Sequence, residues 1–467
     1  MSHDEVITTG EESGRRASAR EVFPLLTEPV SKESAPLFAE NLRRGAKPSA
    51  GWTCGVEFEL FGYDRRRDFR RLDPAQVQRV LAGFAPNSGD LVYEGGTLVE
   101  VDAGQMNRLT IEPGGQIEFS GAPQRSLKDV EREVRRFLAR LHEIAEGHGF
   151  AFVAAGFDPV RTLAEQQWFP KMRYEVMRPY LARRGARAWD MMARTCAVQC
   201  NLDYGDEADL AKKFLVGNRL APVVTAMFAN SPFEDGRLSG YKSTRYAAWL
   251  ETDPDRSGIP PCALTDDFTP EAFVAYALEV PMLFAQRDGL YLDAPTGMRF
   301  GEFLEHGAGS IRPVFGDWAD HLTTVFTDAR LKQHIELRGA DCNDLGMTLA
   351  LQALWKGLFY DRAALDEAYG LAPRLGREGS KGLREAAARD GLRARHAGVD
   401  VLKLAREVVM LAAEGLGRTA PDELPYLDIL RQRVVAEGVS PADILLRNYE
   451  GAWHNSIERA LAYLRIA

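Results

Sequence analysis

Four segments of this chain alternate between apolar and polar side chains, most of the polar ones oxygen-bearing. In GVEFELF, Val56, Phe58 and Leu60 share one parity and Glu57 and Glu59 the other. In GGQIEFS, Ile117 and Phe119 oppose Gln116, Glu118 and Ser120. In CAVQCNLDY, Val198, Cys200 and Leu202 oppose Gln199, Asn201 and Asp203. In QHIELRG, Ile335 and Leu337 oppose His334, Glu336 and Arg338. Successive side chains of a strand point to opposite faces, so a period of two predicts four strands, each with one apolar and one polar face.

A one-sided sheet with its polar face in water produces the same alternation. Such a face ordinarily mixes Lys, Thr, Arg and Ser, whereas acceptors dominate here. Carboxylates gathered on one face repel one another and are costly to bury unpaired. Hard divalent ions such as Mg²⁺ or Mn²⁺ take oxygen ligands of this kind and have little use for Cys or His. The pattern therefore predicts a face that holds metal ions. Metal ions held by carboxylates often act on phosphates, which also need cations from the protein. KMRYEVMRPY offers Lys171, Arg173 and Arg178, and the parity of Arg338 puts it beside Glu336.

The remaining pattern predicts an α+β fold with a curved, mainly antiparallel sheet, because strands do not alternate regularly with helices. Residues 1–20 are polar and expected to be disordered. A helix is expected over 32–44. Residues 97–120 are expected to form a hairpin, with TLVEVD as one arm and LTIEPGGQIEFS, carrying a Pro-Gly-Gly bulge, as the other. Ser126 and Asp129 mark a helix start, Val130, Val134, Phe137, Leu138, Leu141 and Ile144 its apolar stripe, and Gly147 and Gly149 its stop. GFAFVAAGFDP is predicted as a buried strand and turn. Helices are expected over 206–229 and 270–285. From 345 the pattern is helical, with Ser440-Pro441 opening one helix. Residues 374–397 are expected to be a mobile loop or solvated helix. The expected organisation is a tail (1–20), a catalytic core (21–345) and a helical region packed on it (346–467).

Several function classes are excluded. A net charge of −9 argues against a general nucleic-acid binder. No GxxxxGK[ST] loop and no GxGxxG after a strand occurs. The five cysteines, Cys54, Cys196, Cys200, Cys262 and Cys342, are scattered and odd in number, which speaks against a disulfide framework. No stretch has the roughly 18 apolar residues of a membrane span. The polar N-terminus has no apolar signal-peptide core, so a cytoplasmic location is expected.

IEPGGQIEFSGAP, PKMRYEVMRPY, RTCAVQCNLDY, FANSPF and HIELRGAD occur in this order over residues 50–345. Together they resemble plant-type glutamate–cysteine ligases, a family also found in bacteria. The resemblance implies a glutamine-synthetase-like half-barrel with helices outside. It implies that ATP phosphorylates the γ-carboxylate of L-glutamate and that the amine of L-cysteine attacks the acyl phosphate. The products are γ-glutamylcysteine, the thiol precursor of glutathione, with ADP and phosphate. By resemblance, Glu57, Glu59, Glu118, Gln199 and Glu336 are metal ligands or their neighbours for Mg²⁺ (or Mn²⁺), with Glu112 a further candidate. Arg338 would contact the γ-phosphate and the acyl phosphate, with Glu336 and Glu59 completing the catalytic group. Lys171, Arg173 and Tyr174 would bind nucleotide or the glutamate carboxylate, and Asn201 would position. Asn230, Ser231 and the loop to Arg245 would shape the substrate pocket. The protein is expected as a monomer or homodimer. The family's first motif carries His and Lys between its glutamates, where this chain has Phe58 and Leu60. That departure, on the face away from the glutamates, marks a divergent branch. The redox disulfides of plant members find no match among these cysteines. Alternatives are a γ-glutamyl ligase for another amine, the same reaction in ergothioneine biosynthesis, a silent relative, or a metal-dependent phosphohydrolase.

Overall fold

The computed structural model describes residues 26–85, 87, 90–105, 107–292, 296–372 and 380–467. The expected N-terminal tail lies outside them, as do residues 374–379 of the arginine-rich segment.

The organising element is strand β1 (Cys54–Asp64), whose apolar parity is fully buried. Nine further strands join it: β2 (Arg70–Arg71), β3 (Leu91–Glu94), β4 (Thr97–Gly104), β5 (Asn107–Ile111), β6 (Ile117–Ser120), β7 (Phe150–Val153), β8 (Ala197–Leu202), β9 (Ala329–Leu331) and β10 (Ile335–Asp341). The sheet runs β9-β10-β8-β1-β6-β5-β4-β3, while β2 and β7 pair with the second half of β1. The pairs within it are antiparallel and the sheet does not close.

The Pro-Gly-Gly stretch departs from the expectation. It is no bulge within one arm but the turn between two: Ile111 pairs with Ile117, and Glu112 N–H donates to Gln116 O across it. Gly115 sits at φ 76°, where an L side chain is strained. Gln116 therefore leaves the strand face. Its side-chain oxygen accepts from Gly114 N, and its amide donates to Met192 O and Thr195 O.

The helix predicted after Ser126 runs Leu127–His148 and is capped as read. Ser126 Oγ accepts from Asp129 N, and Gly149 ends it at φ 72°. Its apolar stripe covers the sheet through Val130, Val134 and Phe137. The helix Glu207–Phe228 packs on β10 with one side and on helices with the other, so it is apolar almost all round. The segment expected as a helix over 270–285 stops at Glu279, since residues before Pro281 avoid the α region; Ala285–Arg287 is a short strand. Ser380–Asp390 is helical but not solvated: Leu383, Ala386, Ala387 and Ala388 are buried.

The C-terminal helices share one continuous core with the sheet. Leu345–Phe359 crosses Val401–Thr419 where glycine faces backbone. A Cβ on Gly357 would lie 2.2 Å from Ala412 O, and one on Gly415 1.9 Å from Gly357 O. Gly415→Ala must push the helices apart, so it is expected to cost about 1–3 kcal/mol. A urea titration would check this; an unchanged midpoint would mean that the crossing yields freely.

Candidate active site

Because β1 is flanked by β6 and β8, its two glutamates face groups from both. Glu57 is opposite Ser120 and Gln199, and Glu59 is opposite Glu118. On the next strand Glu336 is opposite Asn201, and Arg330 of β9 is opposite Glu336. Above this face lies a cavity of about 260 Å³. Glu57, Glu59, Glu112, Glu118, Gln199, Lys171, Arg173, Tyr174, Arg245, Arg330 and Arg338 line it. Met177, Met191, Met192, Trp249 and Phe326 form an apolar wall.

The carboxylates fall into two groups. Glu336 is fully buried and surrounded by cations. Arg330 donates to both its oxygens at 2.6–3.0 Å, Lys332 Nζ lies 3.0 Å away and Arg338 Nη1 also donates to it. Burial alone would favour its neutral form, but these three cations outweigh that and hold it well below the ordinary carboxylate range. Glu57, Glu59 and Glu118 have no such relief. Burial, then repulsion from Glu336 and Glu118, pushes Glu57 up to about 7. Burial, then Glu112, pushes Glu118 up to about 7. Burial, then Glu112 and Glu118, pushes Glu59 well up. Dipoles hold these groups in place: Asn201 Nδ2 donates to Glu57 at 2.9 Å, and Ala197 N and Gln199 Nε2 donate to Glu59 at 2.7 and 3.1 Å.

Arg338 is fixed at every level. Its N–H donates to Asp328 O at 2.9 Å, and its carbonyl accepts from Arg245 Nη2 at 2.8 Å. Nη1 reaches Glu336 and, at 2.6 Å, Gln199 Oε1. The guanidinium stands 5.8 Å from the Trp249 ring. Nε and Nη2 make no hydrogen bond among the described residues. Arg173 bonds Thr323 Oγ1 at 2.8 Å, and Lys171 lies 5.4 Å from the Tyr174 ring centre. The Tyr174 hydroxyl donates to Ile111 O, so its phenol is an anchor and its ring a wall.

Most residues singled out from the sequence thus meet in one cavity. Glu336 lies beneath the arginines rather than at the surface of the site, and Asn201 is a neighbour of Glu57. Asn230 and Ser231 are placed elsewhere: Asn230 N and Ser231 Oγ donate to buried Asp341, so they brace the fold and line no part of this cavity. Arg178 stacks on Trp168 outside it. Asp203 is bound to Thr53 and Lys47 at the strand end. Arg330, Thr323 and the methionines are additions. Arg330 sits in a three-residue strand too short for a period to show.

Oxygen donors without Cys or His suit a hard cation, and the raised proton affinity of three carboxylates reflects first their burial and then their mutual repulsion, both of which such a cation offsets. Asn201 Oδ1 is buried without a partner among the described residues. Glu57, Glu59 and Glu118 therefore fit a divalent ion, whereas Gln199, expected as a ligand, has its Oε1 engaged by Arg338 Nη1 at 2.6 Å and is their neighbour. Glu336, committed to three cations, fits less well. No three His, Cys, Asp or Glu side chains among the described residues form a ready-made cage.

The family model for glutamate–cysteine ligase family 2 matches residues 53–462. Chloroplastic glutamate–cysteine ligase B of Oryza sativa subsp. japonica is 37% identical over 438 residues, 93% of this chain and 87% of its own. The chloroplastic enzyme of Arabidopsis thaliana is 37% identical over 439 residues, covering 92% and 82%. Among solved structures, a glutamate–cysteine ligase from Francisella tularensis in complex with AMP superposes with a TM-score of 0.54 at 12% identity, covering 86% of this chain and 85% of that one. A bifunctional glutathione synthetase from Pasteurella multocida gives 0.50 at 13%, covering 90% and 52%. These two likenesses bear on the fold. By the span of the family model and by its plant relatives, this chain is a member of glutamate–cysteine ligase family 2.

Proposed function

We propose that the cavity joins L-glutamate to L-cysteine at the expense of ATP, with the residues of the sheet face dividing the work as follows. A γ-carboxylate oxygen of glutamate attacks the γ-phosphorus and ADP leaves. The cysteine amine then attacks the acyl carbon, phosphate leaves, and the nitrogen gives up a proton. The observation that carries this reading is Arg338, held rigid with two unengaged donor nitrogens, beside a set of under-neutralised carboxylates in one cavity.

Both steps place anionic groups against each other. Preorganised positive charge is what lowers such a barrier. Nε and Nη2 of Arg338 meet the transferring phosphoryl group, and Lys171 and Arg173 meet nucleotide or the glutamate α-carboxylate. Glu57, Glu59 and Glu118 would hold Mg²⁺, which when bound supplies further positive charge to the phosphates, and Gln199 ties Glu59 to Arg338. Glu336 keeps Arg330 and Arg338 aimed. Trp249, Phe326 and the methionines limit water, which would hydrolyse the acyl phosphate.

Glu118→Gln keeps the shape and removes a charge. Turnover is expected to fall by at least the about 10–100-fold that loss of an outer-shell metal partner costs. The Mg²⁺ requirement should rise and the unfolding midpoint hold. Full activity at unchanged Mg²⁺ would remove Glu118 from the metal site. ADP release measured with glutamate and a panel of amines, with product mass, tests the acceptor: stimulation by another amine in place of cysteine would move the substrate.

A further inference from the structure

Behind the active face, between the sheet and the helix Leu127–His148, lies a second cavity of about 240 Å³. Phe84, Phe119 and Phe137 form its apolar side, with Phe137 stacked on Phe119 at 4.7 Å and on Phe84 at 5.5 Å. Glu133 and Arg136 also line it. Glu133 is only 6% exposed. Its Oε1 accepts from Gln124 Nε2 and the Asn107 amide also steadies it, but the carboxylate has no ion pair among the described residues. A buried carboxylate left without a cation is costly. Arg136, exposed at the cavity, likewise makes no hydrogen bond or ion pair with any described residue.

An anion lacking a cation, a cation lacking an anion and an aromatic stack share one small space. A metal ion is a poor match, because a single carboxylate supplies too few ligands. We infer that this cavity is a second binding site, for a free L-α-amino acid with an aromatic side chain. The ammonium would pair with Glu133, the carboxylate with Arg136, and the side chain would extend the phenylalanine stack. Phe119 and Leu109 of this cavity adjoin Glu118 and Thr110 of the active one, on opposite faces of the same two strands.

The test is calorimetry on the full chain with saturating ATP, Mg²⁺ and glutamate, so that the active cavity is filled. L-Phenylalanine is expected to bind saturably. Phenethylamine, lacking the carboxylate, and 3-phenylpropionate, lacking the ammonium, should bind at least about tenfold more weakly, one charge pair being lost in each. Glu133→Gln should weaken L-phenylalanine by a similar factor, and Arg136→Gln should erase its advantage over phenethylamine. Both variants should keep basal turnover, since neither residue touches the active cavity. Absence of saturable binding, displacement by raised glutamate, or affinity indifferent to both substitutions would overturn the assignment.

Discussion

Arg338→Lys is expected to lower kcat by about 10²–10³-fold, the range for losing one preorganised donor to developing charge, while KM for ATP moves little. The guanidinium uses Nη1 to bind Glu336 and Gln199 and keeps Nε and Nη2 for substrate. An ammonium is a single point and cannot hold the two protein partners while presenting a planar fork. Steady-state kinetics with varied ATP and glutamate decide the matter. A rise in KM at constant kcat would make Arg338 a ground-state anchor.

Glu336→Gln is the second large effect, and it appears first in stability. Arg330, Lys332 and Arg338 all lean on this one buried carboxylate. Removing one partner of a buried ion cluster leaves uncompensated charge and typically costs about 3–5 kcal/mol. Denaturant unfolding of the variant should show that loss, with activity falling alongside as Arg338 loses its tether. A cost below about 1 kcal/mol would mean that Glu57 takes over the neutralisation.

The polar face was legible because a period of two leaves no freedom: burying Val56, Phe58 and Leu60 forces Glu57 and Glu59 to the other side. The same parity rule misplaced Gln116, because parity counts residues and does not see that the backbone turns at Gly115. The long helix from Ser126 was legible through its cap and stripe. The end of the 270–285 helix was hidden by an apolar run that continues through Pro281 into Phe284. Ser380–Asp390 looks solvated because its buried side is mostly alanine, which a charged composition masks. Arg330 and the glycine crossing of 357 and 415 come from tertiary contact alone, with no local signal. Asn230 and Ser231 were drawn into the site by their motif, and only the hydrogen bonds to Asp341 show their bracing position.

Strand β1 is the spine of the sheet, and its flanking partners lie far apart along the chain, β6 near and β8 distant, while β10, which pairs with β8, is more distant still. During synthesis at about 5–20 residues per second, the interval between Glu57 and Glu336 is on the order of tens of seconds. The amides of β8 that hold Glu57 and Glu59 are made midway through it, and the arginines of β9 and β10 only at its end. Long-range pairing of this kind also folds slowly, since loop closure precedes the reward of contact. Chemical competence therefore arrives in one step, with the last strand. A chain stopped before β10 carries four of the five acids around the cavity, but neither Arg330 nor Arg338 is in place to use them.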